Sequence, residues 1–148
     1  MKIYKGNIKG IEFKYPANWI IETDYDDDIK GYSQVTVTSP YLLNFQVSIS
    51  TDYSTLDSLV MKTSKKYKKA VISNYKEGEI LINGKTAKWI GIIEKNGQFN
   101  YDYQYIIKEK NKAYYINIVG FNKNAKKNKS ENESMMIEMV KSFKILSN

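Results

Sequence analysis

Three side chains are missing altogether from this sequence: cysteine, histidine and arginine, the positive charge resting on 23 lysines. Without cysteine there are no disulfides, no thiolate nucleophile and none of the soft ligands that structural zinc prefers, and the redox compartment stays open. Without histidine the chain lacks the one side chain whose unperturbed pKa lies near neutrality, so a general base would have to be a shifted carboxylate, lysine or tyrosine. Arginine supplies the bidentate contacts to phosphates and base edges, and its absence argues against sequence-specific nucleic-acid recognition. Apolar runs are short as well. None approaches the roughly 20 residues that a membrane-spanning helix needs, so the expectation is a soluble chain with no transmembrane segment. The start, Met1 to Gly6, carries no secretory apolar region, although a chain whose leader or lipid anchor had been removed would begin in the same way.

What is present points to a folded domain. The 148 residues are 42% hydrophobic and 14% aromatic, with 13 tyrosines, which is more burial-capable surface than a disordered segment carries. A chain of this length buries roughly two-thirds of its unfolded surface and needs no staple. No internal repeat or composition break divides it, so positions 1–148 are read as a single domain. The net charge of +7 comes with many Ile, Asn and Tyr codons, a bias that A/T-rich coding produces, so part of it reflects composition and not a polyanionic partner.

Hydrophobic periodicity places the elements. Ile11, Phe13 and Tyr15 alternate with Glu12 and Lys14, and Pro16 ends that strand because it cannot donate to a ladder. Trp19 to Ile21 suggests a short second strand, and the acidic run Asp24 to Lys30 reads as a loop. Val35 and Val37, then Phe45, Val47 and Ile49, mark two more strands around Pro40. Ser54 with Asp57 resembles a capping box, and Leu56, Leu59, Val60, Thr63, Tyr67 and Ala70 follow at helical spacing, predicting a helix from about Thr55 to Lys69. Its other side carries Lys62, Lys65, Lys66, Lys68 and Lys69, a wet and positive face.

From Val71 to Phe121 the pattern is a four-stranded meander. Asn83-Gly84 and Asn96-Gly97 supply the positive φ that tight type I′ hairpins require, and a third reversal falls near Lys110-Asn111-Lys112. A second helix follows, with Ser130 and Glu133 as its capping box and Met136, Met139, Val140 and Phe143 as its apolar stripe. Strands, helix, meander, helix is the order of an α+β domain, an antiparallel sheet flanked by helices, and not of a parallel βαβ fold.

The run Gly10-Ile11-Glu12-Phe13-Lys14-Tyr15-Pro16-Ala17-Asn18-Trp19 resembles the opening of the PsbP-like family, in which an aromatic strand ends in Tyr-Pro and a tryptophan follows. The order of later segments agrees: Ile82 to Ala87 opening the meander, Tyr114 to Ile118 near its end, and Val140 to Lys144 closing the last helix. The resemblance implies a sheet sandwiched between helices. It also implies a non-enzymatic accessory or binding role without a cofactor, and a place outside the cytoplasm as a secreted or lipid-anchored protein, acting on a protein or cell-surface partner. A cytoplasmic location is the alternative expectation. No residue here points to a photosystem.

Candidate sites are few. Asp24, Asp26 and Asp28 alternate like the first ligands of a calcium loop, because hard cations take several carboxylate oxygens from one short segment. The pattern then fails, with Ile29 where the loop needs Gly and Val35 where it needs a bidentate Glu, so a solvated acidic loop is the stronger reading and no metal is assigned. Phe99, Tyr101, Tyr103 and Tyr105 share one face of a strand and offer a stacking surface for sugars or bases, yet burial under a helix explains the same stripe. Trp19 and Trp89 read as packing residues. The helix lysines with Lys123, Lys126, Lys127 and Lys129 offer an electrostatic binder of anionic polymers or lipid headgroups as an alternative function, marked by steep salt dependence. Glu77 and Glu79 flank Gly78 and read as solvated. A carboxylate-based hydrolase is the least favoured reading, since it needs two acids brought together in a cleft.

Overall fold

Alternation along β5 (Tyr32–Thr38) and β6 (Leu43–Thr51) shows how the sheet forms. Val35, Val37, Phe45 and Val47 are wholly buried, while Gln34, Thr36, Asn44 and Gln46 turn the other way. The same period organises the rest of a computed structural model, which describes residues 1–27, 29–40, 43–70, 75–95, 98–121 and 129–146. Side chains at 69–70, 93–95, 98–101, 121, 129–130 and 132 lie outside the description.

A seven-stranded, wholly antiparallel sheet runs β4 (Ile20–Asp27), β5, β6, β10 (Lys112–Phe121), β9 (Gln98–Glu109), β8 (Lys85–Lys95) and β7 (Tyr75–Ile82). The four-strand meander therefore stands, joined to the first three strands through the β6–β10 pair. Asn83 and Gly84 both have positive φ, 47° and 80°, as their hairpin requires. Lys95 pairs with Gln98 across the second hairpin, whose turn residues Asn96 and Gly97 lie outside the described residues. At the third reversal it is Lys110 that takes positive φ, 53°.

Helix α1 (Leu56–Ala70) packs across one face over β8 and β9, with Leu59 against Ile106 and Ala113. Tyr67 Oη donates to Asp102 Oδ1 at 2.8 Å and Lys88 Nζ meets Asp57 Oδ1 at 2.7 Å, which sets the helix along the strands. The cap is not the expected one. Thr55 Oγ1 accepts from the Ser58 amide at 3.2 Å, whereas Ser54 belongs to a preceding turn in which its amide donates to Asp52 Oδ1 at 2.7 Å. Thr55 wins because it stands three residues before the orphan amide that needs an acceptor.

The opposite face carries the larger core, closed by α2 (Lys129–Ser142) and by the N-terminal segment. Met136, Met139, Val140 and Phe143 are buried there against Tyr114, Ile116 and Ile118, and each such side chain contributes roughly 1.5–3 kcal/mol. Ser130, expected as the cap, lies inside α2. The strand expected at 11–15 is two short ones that leave the main sheet: β2 (Ile11–Glu12) pairs β11 (Lys144–Ile145), and β3 (Lys14–Tyr15) pairs β1 (Lys2–Ile3). Its alternation served burial all the same, since Ile11, Phe13 and Tyr15 all enter the core, with Phe13 stacked on Tyr4 at 4.9 Å.

The acidic loop is corrected too. Asp24 to Asp27 belong to β4, an edge strand, and the turn described before β5 is at Ile29 to Gly31, Asp28 lying outside the described residues. Polar residues sit comfortably in an edge strand, where one side of the ladder faces water, so poor hydrophobicity there did not signal a loop.

Candidate functional site

Two glycines shape the surface under α2. Gly78 lies opposite Trp89, and Gly91 lies opposite Tyr103. A methyl group on Gly78 would stand 2.7 Å from the indole of Trp89, and one on Gly91 would collide with the ring of Tyr103. Both rings therefore lie over bare neighbouring backbone, a close approach that only glycine permits within a strand. Trp89 is 6.0 Å from Tyr103 and 6.5 Å from Tyr105, centroid to centroid, at interplanar angles of 45° and 40°.

These three rings and Ile118 form one wall of a cleft of about 310 Å³, and α2 supplies the other wall through Glu133, Met136 and Ile137. That volume is at the lower end of small-ligand pockets, which are typically apolar with a few convergent polar groups. Burial, then the neighbouring Tyr105 and the Glu133 carboxylate, push the Tyr103 hydroxyl up to about 12, and burial raises Tyr105 as well. Both are neutral hydrogen-bond donors at physiological pH. The chemistry on offer is stacking, apolar contact, hydroxyl donation and one carboxylate.

The structure divides the expected stripe. Tyr105 is buried, and Tyr103 and Trp89 are half-buried on the cleft side. The backbone of Tyr101 continues in the same register, while its side chain lies outside the described residues. Trp19 is buried in the core. Sequence reasoning missed the part played by Trp89, Gly78, Gly91 and the α2 residues. A glycine in a strand interior was the available signal, since it marks close approach by another group.

The aspartates are elsewhere. Strands β5, β6 and β10 separate β4 from β9, so the acidic and aromatic candidates are not brought together. Asp24 accepts from Tyr4 Oη at 2.6 Å and from the Asn7 amide at 3.2 Å, tying the N-terminal segment to the sheet edge. Burial and the Asp24 hydrogen bond together raise the Tyr4 hydroxyl far above its ordinary range. Asp26 accepts from Ser33 Oγ, and Asp27 accepts from the Lys30 amide at 3.0 Å. Asp28 lies outside the described residues. Among the described residues no group of three or more acidic side chains is placed to hold a metal ion. Glu77 and Glu79 are exposed on β7, and Lys62, Lys65, Lys66 and Lys68 are exposed on α1.

No family model and no curated protein matches the chain. Solved structures do. The solution structure of cyanobacterial PsbP from Synechocystis sp. PCC 6803 superposes with a TM-score of 0.60 at 18% identity, over 97% of this chain and 91% of that one. The fold is PsbP-like. The same PsbP-like architecture recurs in LpqN of Mycobacterium tuberculosis, involved in cell envelope biogenesis (TM-score 0.60, 12% identity, 93% and 83% of the two chains). It recurs again in the Saccharomyces cerevisiae Ran-binding protein Mog1p (TM-score 0.59, 11% identity, 99% and 97%). At such identities the likeness establishes the fold alone, and the PsbP-like fold hosts different roles. No helix among the described residues is long and apolar enough to cross a membrane.

Proposed function

We propose that this chain is a non-enzymatic binding domain that acts outside the cytoplasm and grips its partner through the Trp89–Tyr103–Tyr105 cleft. The carrying observation is the cleft's composition: rings laid open over Gly78 and Gly91, neutral tyrosine donors, and a carboxylate on the facing helix. An aromatic floor with tyrosine hydroxyls at its rim favours an apolar or aromatic side chain of a protein partner. Similarity in fold to a protein of cell envelope biogenesis and to a Ran-binding protein supports a role in binding.

The test places a photo-crosslinking amino acid at Ile137, 46% exposed at the cleft, and for comparison at Met61, 59% exposed on α1. Source cells are irradiated and then fractionated. A discrete adduct from Ile137 in the envelope or secreted fraction, absent from Met61 and lost with Tyr103→Ala, is expected. An adduct from Met61 alone, no adduct from Ile137, or a protein confined to the cytosol overturns the reading.

A further inference from the structure

On the face away from α2, α1 lies over β8 and β9 and reaches Ala113 and Tyr115 of β10. The same face of β5 and β6 carries another kind of surface. Positions 32, 34, 36 and 38 of β5 and positions 44, 46, 48 and 50 of β6 all turn to it, and all are Tyr, Gln, Thr, Asn or Ser. Ser48 is buried and the other seven positions are partly exposed, and in a chain that is 26% charged not one of the eight is Lys, Asp or Glu.

The side chains hold one another in place. Tyr32 Oη donates to Gln34 Oε1 at 2.6 Å, Thr38 Oγ1 to Asn44 Oδ1 at 2.9 Å, and Gln46 Nε2 to Ser48 Oγ at 3.1 Å. Cross-strand register sets Thr36, Gln46, Asn117 and Gln104 in one row over β5, β6, β10 and β9. In that row Gln104 Oε1 and Asn117 Oδ1 are buried out of reach of solvent, so Thr36 and Gln46 are the partly exposed members open to a ligand. At the β4 edge the rings of Tyr25 and Tyr32 lie 6.0 Å apart at 45°, with Tyr25 41% exposed.

Hydroxyl and amide groups both donate and accept, whereas an ammonium only donates and a carboxylate only accepts. A surface made of bifunctional, uncharged groups matches a ligand made of bifunctional, uncharged groups, and the tyrosine rings offer an apolar platform for the C–H side of a sugar ring. An anionic polymer would call for lysines here, and a hydrophobic protein patch for aliphatic side chains. We propose that the partly exposed face of β5 and β6, with Tyr25 at the β4 edge, binds a neutral polysaccharide. This surface is on the opposite side of the sheet from the aromatic cleft and does not depend on it.

Nitrogen-15-labelled full-length protein titrated with cellohexaose, laminarihexaose and maltohexaose reads the proposal by NMR. Expected are saturable shifts of the Gln34 and Gln46 side-chain amides with at least one of the three, while the Asn83 amide on the far side stays still. The affinity should be independent of salt, because no counterions are released. Tyr25→Ala and Gln46→Ala should each weaken binding about tenfold or more with the fold intact by circular dichroism, and Ile137→Glu at the cleft should leave it unchanged. No shift at these amides with any of the three sugars up to about 10 mM overturns the proposal. So do shifts centred on the cleft, or a response only to a charged oligosaccharide that fades with salt.

Discussion

Single residues settle the shape of the cleft. Gly78 and Gly91 matter for what lies over them and not for their own flexibility: each leaves room for an aromatic ring from the adjacent strand. Gly91→Ala should displace the Tyr103 ring and cost about 1–3 kcal/mol as overpacking, with a parallel loss of adduct formation at Ile137. Gly10, around which a methyl group would meet nothing within 4 Å, is the control, and Gly10→Ala should stay within about 0.5 kcal/mol. Urea midpoints at unchanged slope measure both. At the same scale, the aspartates that looked like cation ligands in sequence turn out to be engaged: Asp24 by Tyr4 and Asn7, Asp26 by Ser33. Their alternation was legible, but the partners that use their oxygens lie 20 and 17 residues away for Asp24 and 7 for Asp26.

Among elements, the hairpin between β7 and β8 does two tasks. Asn83 adopts positive φ to make the turn, and its side-chain amide donates to the Lys141 and Phe143 carbonyls at 3.0 and 2.7 Å, closing the C-terminal end of α2. Carbonyls at a helix end lack intrahelical partners, so a donor arriving from another element replaces a local cap. Asn83→Gly should keep the turn and lose the cap, at about 1 kcal/mol. Asn83→Asp should cost more, about 1–3 kcal/mol, because it also sets a negative charge against the negative end of the helix dipole. Thermal unfolding of both variants checks the order; equal stability of Asp and wild type would show that the cap contributes nothing. The Asn-Gly turn was readable from the dipeptide. Its grip on a helix 58 residues later was not, since nothing local in either segment requires it.

Over the whole molecule, tyrosine links stability to alkaline pH. Burial raises the hydroxyls of Tyr4, Tyr67, Tyr103, Tyr105 and Tyr114 above their ordinary value, with Asp24 and Asp102 adding to the rise at Tyr4 and Tyr67. A group whose folded pKa is raised stabilises fully below the unfolded pKa and loses that contribution as pH climbs through the folded one. Stability should therefore hold to about pH 9 and fall beyond about pH 10, where the unfolded chain has released protons that the fold retains. Each retained proton costs about 1.4 kcal/mol per pH unit, so Tyr4→Phe should make the fall shallower. Urea titrations at several alkaline pH values measure this, and a flat profile to about pH 11 would refute it.

Local pattern alone determined the α+β class, the approximate positions of six of the seven central strands, both helices and the Asn83-Gly84 hairpin, while most of β4 was read as a loop. Period and turn chemistry act over a few residues and need no knowledge of the rest of the chain. Tertiary structure decided the remainder. Strand order, with β10 lying beside β6, brought together segments 60 and more residues apart, and the fate of Ile11 to Tyr15 as pieces outside the main sheet depended on what they meet. Whether Tyr103 is core or cleft wall was set by how far α2 extends over the sheet and by the two glycines that let the rings lie down. A one-dimensional pattern records which face a residue takes. Whether another element covers that face depends on long-range packing, and both surfaces on which binding is proposed were decided there.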